Sequence, residues 1–130
     1  DWIAISQSRI DQFADVTEDR QWIHTDEKRA ALSPFGAPIA HGFLTLSLMP
    51  AFAEKAIELS GVSTVVNYGL NRVRFIRPVP VDARIRGRFV LAGAEEIEDG
   101  MQATWAVTIE VEHGARPCCA AEWLVRYMSR

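Results

Sequence analysis

The sequence predicts one α+β domain over residues 1–130, with the helices in its first half and antiparallel strands in its second half. Three observations support this class. The chain has 130 residues, which is the length of an ordinary single domain. Hydrophobic residues make up 48% of it, enough to build a core. Helical apolar spacing and one long apolar segment precede residue 60, and alternating apolar and polar residues follow it.

Short elements open the chain. Residues 2–5 read as a short strand because they are apolar and partly β-branched. Residues 9–17 carry apolar side chains at helical spacing, and Ser6 or Ser8 can cap the helix by accepting a hydrogen bond from its free backbone N–H groups.

The next three elements are a loop, a short helix and a second loop. Residues 18–25 show no helical period and are predicted to be a loop. Residues 26–32 form a short helix capped by Thr25 or Asp26. Residues 33–38 contain two prolines and a glycine, which predicts another loop.

A long buried helix is predicted over residues 40–59. The segment is apolar on almost every side, which is typical of a helix inside a core, and it would be roughly 30 Å long at about 1.5 Å per residue. Pro50 should kink this helix or divide it into two pieces. Ser60 and Gly61 are expected to end it.

Four strands follow, joined in part by short turns. The clearest runs from residue 101 to 111, where apolar residues alternate with polar ones as in a half-buried antiparallel strand. The other strands are predicted at residues 64–75, 83–91 and 119–128, with turns at 98–100 and 113–115. The layout implied is a curved antiparallel sheet wrapped around the long buried central helix.

Composition narrows the class of protein. The formal net charge is −3, which argues against general nucleic-acid binding because that needs a basic footprint. Cys118 and Cys119 are adjacent and would form only a strained disulfide, so we expect a reduced, cytoplasmic protein. The sequence contains no apolar run long enough to span a membrane. The start at Asp1, beside a predicted strand, suggests that a few natural N-terminal residues precede it.

Asp19 and His24 are the first candidates for chemistry. A carboxylate and an imidazole five residues apart can form an acid–base pair. On a continuous helix five residues turn through about 140°, so the two side chains can meet only if the segment is a non-helical loop. By itself this spacing is also compatible with a turn-closing aspartate and a buried structural histidine.

Three segments together indicate a family. They read Glu18-Asp19-Arg20-Gln21-Trp22-Ile23-His24, then Ile39-Ala40-His41-Gly42-Phe43-Leu44, then Tyr68-Gly69-Leu70-Asn71-Arg72-Val73-Arg74-Phe75-Ile76-Arg77-Pro78-Val79. In this order they resemble the MaoC-like dehydratases of the hotdog fold, a family that includes (R)-specific enoyl-CoA hydratases and NodN-like proteins. The family motif has glycine where this chain has Glu18 and Asn-Pro where it has Gln21-Trp22. Some hydratases of the family place a serine where Pro50 stands here.

The resemblance implies a function and a site. It implies a hydro-lyase, an enoyl-CoA hydratase or 3-hydroxyacyl-thioester dehydratase, that adds water to a trans-2-enoyl thioester through Asp19 and His24. Gly42, at the start of the central helix, would bind the thioester carbonyl through its N–H. His41, Tyr68 and Asn71 are weaker candidates for substrate contacts, and His41 has an equal claim to orienting the loop.

Partners and cofactors follow from the same resemblance. The substrate would be an acyl-CoA or acyl-carrier thioester, and the protein would be a homodimer. We expect no cofactor and no metal, because three histidines scattered along the chain and no Cys-x-x-Cys offer no ligand set. Two alternatives stay open: a hotdog thioesterase, and a non-catalytic NodN-like protein that binds acyl thioesters.

Six arginines fall close together in the second half of the chain. A solvated outer strand face is the ordinary explanation for such a charge run. Contact with the phosphates of the substrate's carrier arm is the functional alternative, because guanidinium groups suit phosphates. The six are Arg72, Arg74, Arg77, Arg84, Arg86 and Arg88.

Overall fold

The computed structural model describes residues 1–129 and contains one five-stranded antiparallel sheet in the order β1-β3-β4-β5-β2. The strands are β1 (Ile3–Ala4), β2 (Thr64–Phe75), β3 (Arg84–Ile97), β4 (Gly100–Val111) and β5 (Cys119–Met128). The helices are α1 (Gln7–Thr17), α2 (Trp22–Thr25), α3 (Glu27–Ala31), α4 (Gly42–Ser47) and α5 (Met49–Ala56). The helices all precede the four long strands, which confirms the predicted α+β class.

Side-chain caps set the starts of α1 and α3. The Ser6 hydroxyl accepts a hydrogen bond from the Arg9 N–H at 3.1 Å, and the Asp26 carboxylate accepts one from the Arg29 N–H at 3.0 Å. Each cap satisfies one of the N–H groups that a helix leaves free in its first turn.

The central helix is two pieces. Helix α4 ends at Ser47, and α5 begins at Met49 with Pro50 in its first turn, where a missing N–H costs no helical hydrogen bond. Helix α5 ends at Ala56, because Ile57 has extended backbone angles of φ −118° and ψ 124°. The predicted end at Ser60 and Gly61 is therefore wrong.

Strand β3 is longer than predicted. It continues to Ile97 and pairs with β4 down to Gly100, after a register shift between Leu91 and Gly93. The bulge places an extra residue in the strand and breaks the alternation that a sequence pattern depends on. The ranges predicted for β2 and β5 agree with the structure.

The core lies between the sheet and the helices. Phe52 of α5 packs so closely over β3 that a Cβ atom on Gly87 would lie 3.0 Å from its side chain. The core joins elements from both halves of the chain, as expected for a single domain. Its largest fully buried side chains are Ile5, Ile10, Ile85, Ile109, Val125, Cys118 and Cys119.

Four of the six arginines form ion pairs along the strands, and the first is Arg72, whose Nη1 lies 3.8 Å from Glu122 Oε2. Arg86 Nε lies 2.9 Å from Glu110 Oε1, and Arg88 Nε lies 3.0 Å from Glu110 Oε2. Arg84 pairs with Glu112 in the same way. The pKa of Glu110 is lowered chiefly by its hydrogen bond from Arg86, and the pKa of Glu112 by that from Arg84. The ordinary explanation of a solvated outer strand face therefore suits these four arginines.

The two cysteines are free and buried. Burial raises the pKa of the Cys118 thiol to about 12 and that of Cys119 to about 11, so both stay protonated at neutral pH. Within residues 1–129, none of the helices has the length and apolar character needed to cross a membrane.

Candidate active site

His24 lies on the one-turn helix α2, not in the loop predicted for residues 18–25. Its side chain is 6% exposed. The Gln7 amide of α1 donates a hydrogen bond to the His24 carbonyl at 2.8 Å, which anchors α2 against α1. A four-residue helix shows no apolar period, so the sequence pattern could not reveal it.

The hydrogen bonds of His24 define its tautomer. Nδ1 lies 2.7 Å from the Ile39 carbonyl oxygen, and because a carbonyl can only accept, Nδ1 must carry the hydrogen. In the neutral ring the lone pair is therefore on Nε2. Burial lowers the pKa of His24 most strongly, the nearby His41 lowers it further, and the Ile39 carbonyl and Asp19 oppose this. A lowered pKa favours a neutral imidazole with Nε2 ready to accept a proton.

His41 connects the two catalytic candidates. Its ring stacks on His24 with centroids 3.8 Å apart and 20° between the planes. Its Nε2 donates to the Asp19 backbone carbonyl at 2.9 Å, and its Nδ1 is enclosed without a partner among residues 1–129. Phe13 packs on the ring at a centroid distance of 5.0 Å. His41 thus holds both the His24 ring and the turn that carries Asp19.

Asp19 follows a residue with left-handed backbone geometry. Glu18 ends α1 with φ 64°, a conformation that glycine adopts without steric cost. This accounts physically for the glycine at this place in the family motif, and Glu18 takes the same conformation despite its Cβ. Asp19 itself is exposed.

The fold brings Asp19, His24 and His41 together. Each offers a nitrogen or carboxylate oxygen atom, and these atoms lie within 4.8 Å of one another. The expected proximity of Asp19 and His24 is therefore met in this structure. The three histidines are scattered along the chain but not in the structure, because His24 and His41 are stacked.

Gly42 lies beside His24 in a cavity of about 270 Å³. It is the first residue of α4, and its N–H has no acceptor among residues 1–129. A Cβ atom at this position would lie 2.9 Å from the ring of Phe75, so only glycine leaves the ring in place. Thr45 and Cys118 also line the cavity.

Thr45 is a cavity residue that sequence reasoning missed. It is 2% exposed, and its hydroxyl has no hydrogen-bond partner among residues 1–129. Threonine inside an apolar helix carries no motif, so only the fold shows that its position faces the same cavity as Gly42.

Tyr68 and Asn71 lie away from this cluster. Tyr68 borders a second cavity of about 320 Å³, together with Leu46 and Met49 of the central helices. The Arg126 guanidinium stacks on its ring at 3.7 Å. Asn71 is exposed on β2, opposite Glu122 of β5. The structure does not bring either residue to the Asp19–His24 pair.

The sheet and the helices it covers define a hotdog domain with a carboxylate–imidazole pair at the start of its central helices. The family model described as MaoC like domain matches residues 1–113. The chain belongs to the MaoC-like dehydratase family.

Relatives and solved structures agree with this assignment. The 3-hydroxyacyl-thioester dehydratase Z of Mycobacterium tuberculosis (strain ATCC 25618 / H37Rv) is 49% identical over 130 residues, covering 99% of this chain and 86% of that protein. Nodulation protein N of Rhizobium leguminosarum bv. viciae is 46% identical over 127 residues, covering 95% of this chain and 79% of that protein. The unliganded R-hydratase PhaJ1 from Pseudomonas aeruginosa shares the fold, with a TM-score of 0.81, 22% identity and coverage of 100% of this chain and 79% of that chain.

Proposed function

We propose that this protein is an (R)-specific hydratase that reversibly adds water to a trans-2-enoyl thioester, giving the (R)-3-hydroxyacyl thioester. One observation carries the proposal. The Nδ1–H of His24 is held by the Ile39 carbonyl at 2.7 Å, which leaves the lone pair on Nε2, and His24 lies near Asp19 and borders a cavity. The family membership and the relative named a dehydratase support the same reaction class.

The reaction needs one water and balanced proton transfers. The water would lie between the Asp19 carboxylate and His24 Nε2. As its oxygen bonds to C3 of the substrate, His24 takes one of its protons, and the resulting imidazolium returns a proton to C2. Asp19 orients the water and stabilises the imidazolium. Asp19 and His24 return to their initial protonation states. Because the hydroxyl and the proton reach the same face of the substrate, the addition is syn. Acid–base help of this kind is worth about 10²–10⁴-fold in rate.

The thioester carbonyl would bind the Gly42 N–H. Negative charge moves onto this oxygen as C3 is attacked, and a fixed N–H in a cavity stabilises that charge without reorganising. Gly42 suits the task because its N–H has no acceptor among the described residues and it has no Cβ to displace Phe75.

We assign His41 a positioning role. It would act through two contacts, its 2.9 Å hydrogen bond to the Asp19 carbonyl and its stacking on His24. A His41→Gln change keeps an N–H donor but removes the stacked ring. We expect it to lower kcat while leaving KM for the thioester nearly unchanged.

We propose a metal-free and cofactor-free mechanism. A Zn²⁺ ion binds imidazole nitrogen at about 2.0–2.1 Å, in the plane of the ring. The rings of His24 and His41 are stacked 3.8 Å apart and only 20° from parallel, so their lone pairs do not converge on one point. Dialysis against a chelator should leave turnover unchanged.

We propose that two copies pair through β2. This strand lies at the edge of the sheet, and a long exposed edge invites pairing with another strand. Tyr68 and Asn71 on β2 would then reach substrate only in the assembled dimer. Sedimentation equilibrium should give twice the 14.5 kDa chain mass. The exposed apolar side chains of β2 are Val65, Val66, Tyr68, Leu70 and Phe75.

A cytoplasmic location fits the two free buried thiols. We propose it as the compartment in which an acyl-CoA or acyl-carrier thioester would meet this enzyme.

The test of function uses three readouts on the same preparation. With crotonyl-CoA we expect loss of the enoyl-thioester absorbance and an (R)-3-hydroxybutyryl product, and in D₂O one deuterium at C2, on the same face as the new hydroxyl. Release of free thiol from a saturated acyl-CoA would instead support the thioesterase alternative. Tight binding of the thioester without either reaction would support a non-catalytic acyl-thioester-binding protein.

A further inference from the structure

The Gln7 side chain connects α1 to the backbone of the catalytic candidate His24. Gln7 is the first residue of α1, and its amide nitrogen Nε2 donates to the His24 carbonyl oxygen at 2.8 Å and to the Asp11 carboxylate at 2.9 Å. The contact with Asp11 stays within α1, whereas the contact with His24 crosses from α1 to α2. One side chain therefore links the two helices at the residue that would carry out the proton transfers.

The chemistry of the two partners fixes the orientation of the Gln7 amide. A backbone carbonyl and an ionised carboxylate only accept hydrogen bonds, so both must face the amide nitrogen and neither can face the amide oxygen. The Oε1 atom of Gln7 is enclosed, without a hydrogen-bond partner among residues 1–129. Turning the amide over would place this oxygen against two acceptors and would break both contacts.

Helix α2 depends on contacts from outside itself. It has four residues, Trp22–Thr25, so it contains no residue four places after His24 whose N–H could donate to the His24 carbonyl. A helix of one turn is not stable by its own hydrogen bonds, and tertiary contacts must hold it in place. The Gln7 amide is a contact of this kind, and it supplies the His24 carbonyl with a donor.

The Gln7 contact and the ring contacts hold opposite ends of His24. The ring is held by the Ile39 carbonyl, 2.7 Å from Nδ1, and by stacking on His41. The backbone is held by Gln7. With both ends fixed, the imidazole keeps its place near Asp19. A displacement of about 1 Å can cost about 10²-fold in rate, so a change in the backbone position of His24 should affect turnover.

We propose that Gln7 is a positioning residue for the acid–base pair, acting through the His24 backbone without touching the substrate. This inference rests on the proposed hydratase function and extends the site to the start of α1. Gln7 is not among the residues that line the cavity containing His24 and Gly42. Its replacement should therefore slow the chemical step and leave the affinity for the thioester unchanged.

The kinetic test removes the donor and keeps the shape of the side chain. Gln7→Met keeps an unbranched side chain, and Gln7→Glu replaces the NH₂ group by an oxygen that cannot donate when ionised. Gln12→Met is the matched control, because Gln12 is an exposed glutamine of α1 whose amide donates to the Ser8 hydroxyl at 3.3 Å. With crotonyl-CoA we expect both Gln7 variants to lower kcat by about 10-fold to 10²-fold at unchanged KM, and Gln12→Met to resemble wild type. Wild-type kcat in both Gln7 variants, or an equal loss in Gln12→Met, would overturn the proposal.

The titration of the His24 ring, followed by NMR, separates positioning from folding and needs no turnover. Burial is the main cause of the lowered pKa of His24, so a ring that leaves its place and meets water should have a pKa closer to 6.5. Gln7→Met leaves the titratable neighbours Asp19, His41 and Asp11 unchanged, and we expect it to raise the His24 pKa.

Partial unfolding alone would weaken the folded signals of His24 and leave its pKa as in wild type, which would overturn the proposal. A raised His24 pKa in Gln7→Met, in a protein that does not hydrate crotonyl-CoA, would support the link from Gln7 to His24 and count against the proposed hydratase function.

Discussion

The contact between Gly42 and Phe75 gives a prediction whose size can be worked out from the structure. A Cβ atom added to Gly42 would lie 2.9 Å from Cγ and Cδ1 of the Phe75 ring, about half an ångström inside the 3.4 Å at which ordinary contact begins. The contact involves the base of the ring, so a small rotation at its tip cannot relieve it. In Gly42→Ala the ring must move, and it borders the cavity in which we place the thioester.

Two opposing terms decide the effect on stability. Overpacking of this kind costs about 1–3 kcal/mol. Replacing glycine by alanine in a helix returns about 1 kcal/mol of helix propensity. We therefore expect Gly42→Ala to lose about 1 kcal/mol of unfolding free energy. Activity should suffer more, by about 10-fold to 10²-fold in kcat, because a displacement of about 1 Å can misalign reacting groups.

The assay is hydration of crotonyl-CoA beside urea denaturation. Phe75→Ala removes the ring that a Cβ atom on residue 42 would contact. Adding Gly42→Ala to the Phe75→Ala protein should therefore lower kcat less than adding it to wild type. Gly93→Ala is the control, because a Cβ atom there meets nothing within 4 Å. If Gly42→Ala retains wild-type kcat, the placement of the thioester carbonyl is refuted. If Gly42→Ala lowers kcat by the same factor in the Phe75→Ala protein as in wild type, the loss of kcat does not come from the Phe75 contact.

Three further predictions concern the residues around the pair. The pKa of His24 is lowered from 6.5 in the folded protein, so the unfolded chain binds more protons below pH 6.5. The free energy of unfolding should therefore fall as the pH drops below 6.5. Denaturation of His24→Gln should lack this contribution to the pH dependence. Glu18→Gly should gain about 1 kcal/mol in urea denaturation by relieving a left-handed residue, with kcat unchanged, and a loss of stability would contradict this. Thr45→Val should gain about 1 kcal/mol by removing an unpartnered buried hydroxyl, and a large fall in its kcat would instead give Thr45 a role in the reaction.

The strands were predictable where local pattern and fold agree. Strand β5 begins and ends where expected because buried and half-buried residues alternate along it. Strand β2 also has the expected ends, although two register shifts interrupt its pairing with β5. Strand β3 was predicted too short because the bulge between Leu91 and Gly93 interrupts its alternation and acidic residues follow. Helix α5 was predicted too long because apolar spacing reports burial, and Ile57 remains half-buried after it has left the helix.

The sequence named candidate members of the site but could not predict how they are arranged. Motif spacing pointed to Asp19, His24 and Gly42. The stacking of His24 on His41 depends on a long-range contact, the hydrogen bond from the Ile39 N–H to the Ile23 carbonyl at 3.0 Å, which no local pattern encodes. The same contact positions the Ile39 carbonyl that fixes the His24 tautomer.

Asp19 and His24 differ in how much stability their replacement should cost. Asp19 is exposed, so its replacement should cost little stability. His24 is 6% exposed and hydrogen-bonded to Ile39, so His24→Gln should be destabilising as well as inactive. Asp19 is therefore the cleaner position at which to separate chemistry from folding.

The most direct measurement compares wild type with Asp19→Asn in the hydration of crotonyl-CoA, followed by loss of the enoyl-thioester absorbance. Asp82→Asn is the matched control, because Asp82 is also exposed, and its left-handed backbone, φ 69°, suits asparagine. We expect rapid hydration by wild type and Asp82→Asn, and a kcat lower by about 10²-fold or more in Asp19→Asn at unchanged stability. Wild-type turnover by Asp19→Asn would contradict the central claim that Asp19 and His24 together hold the reacting water.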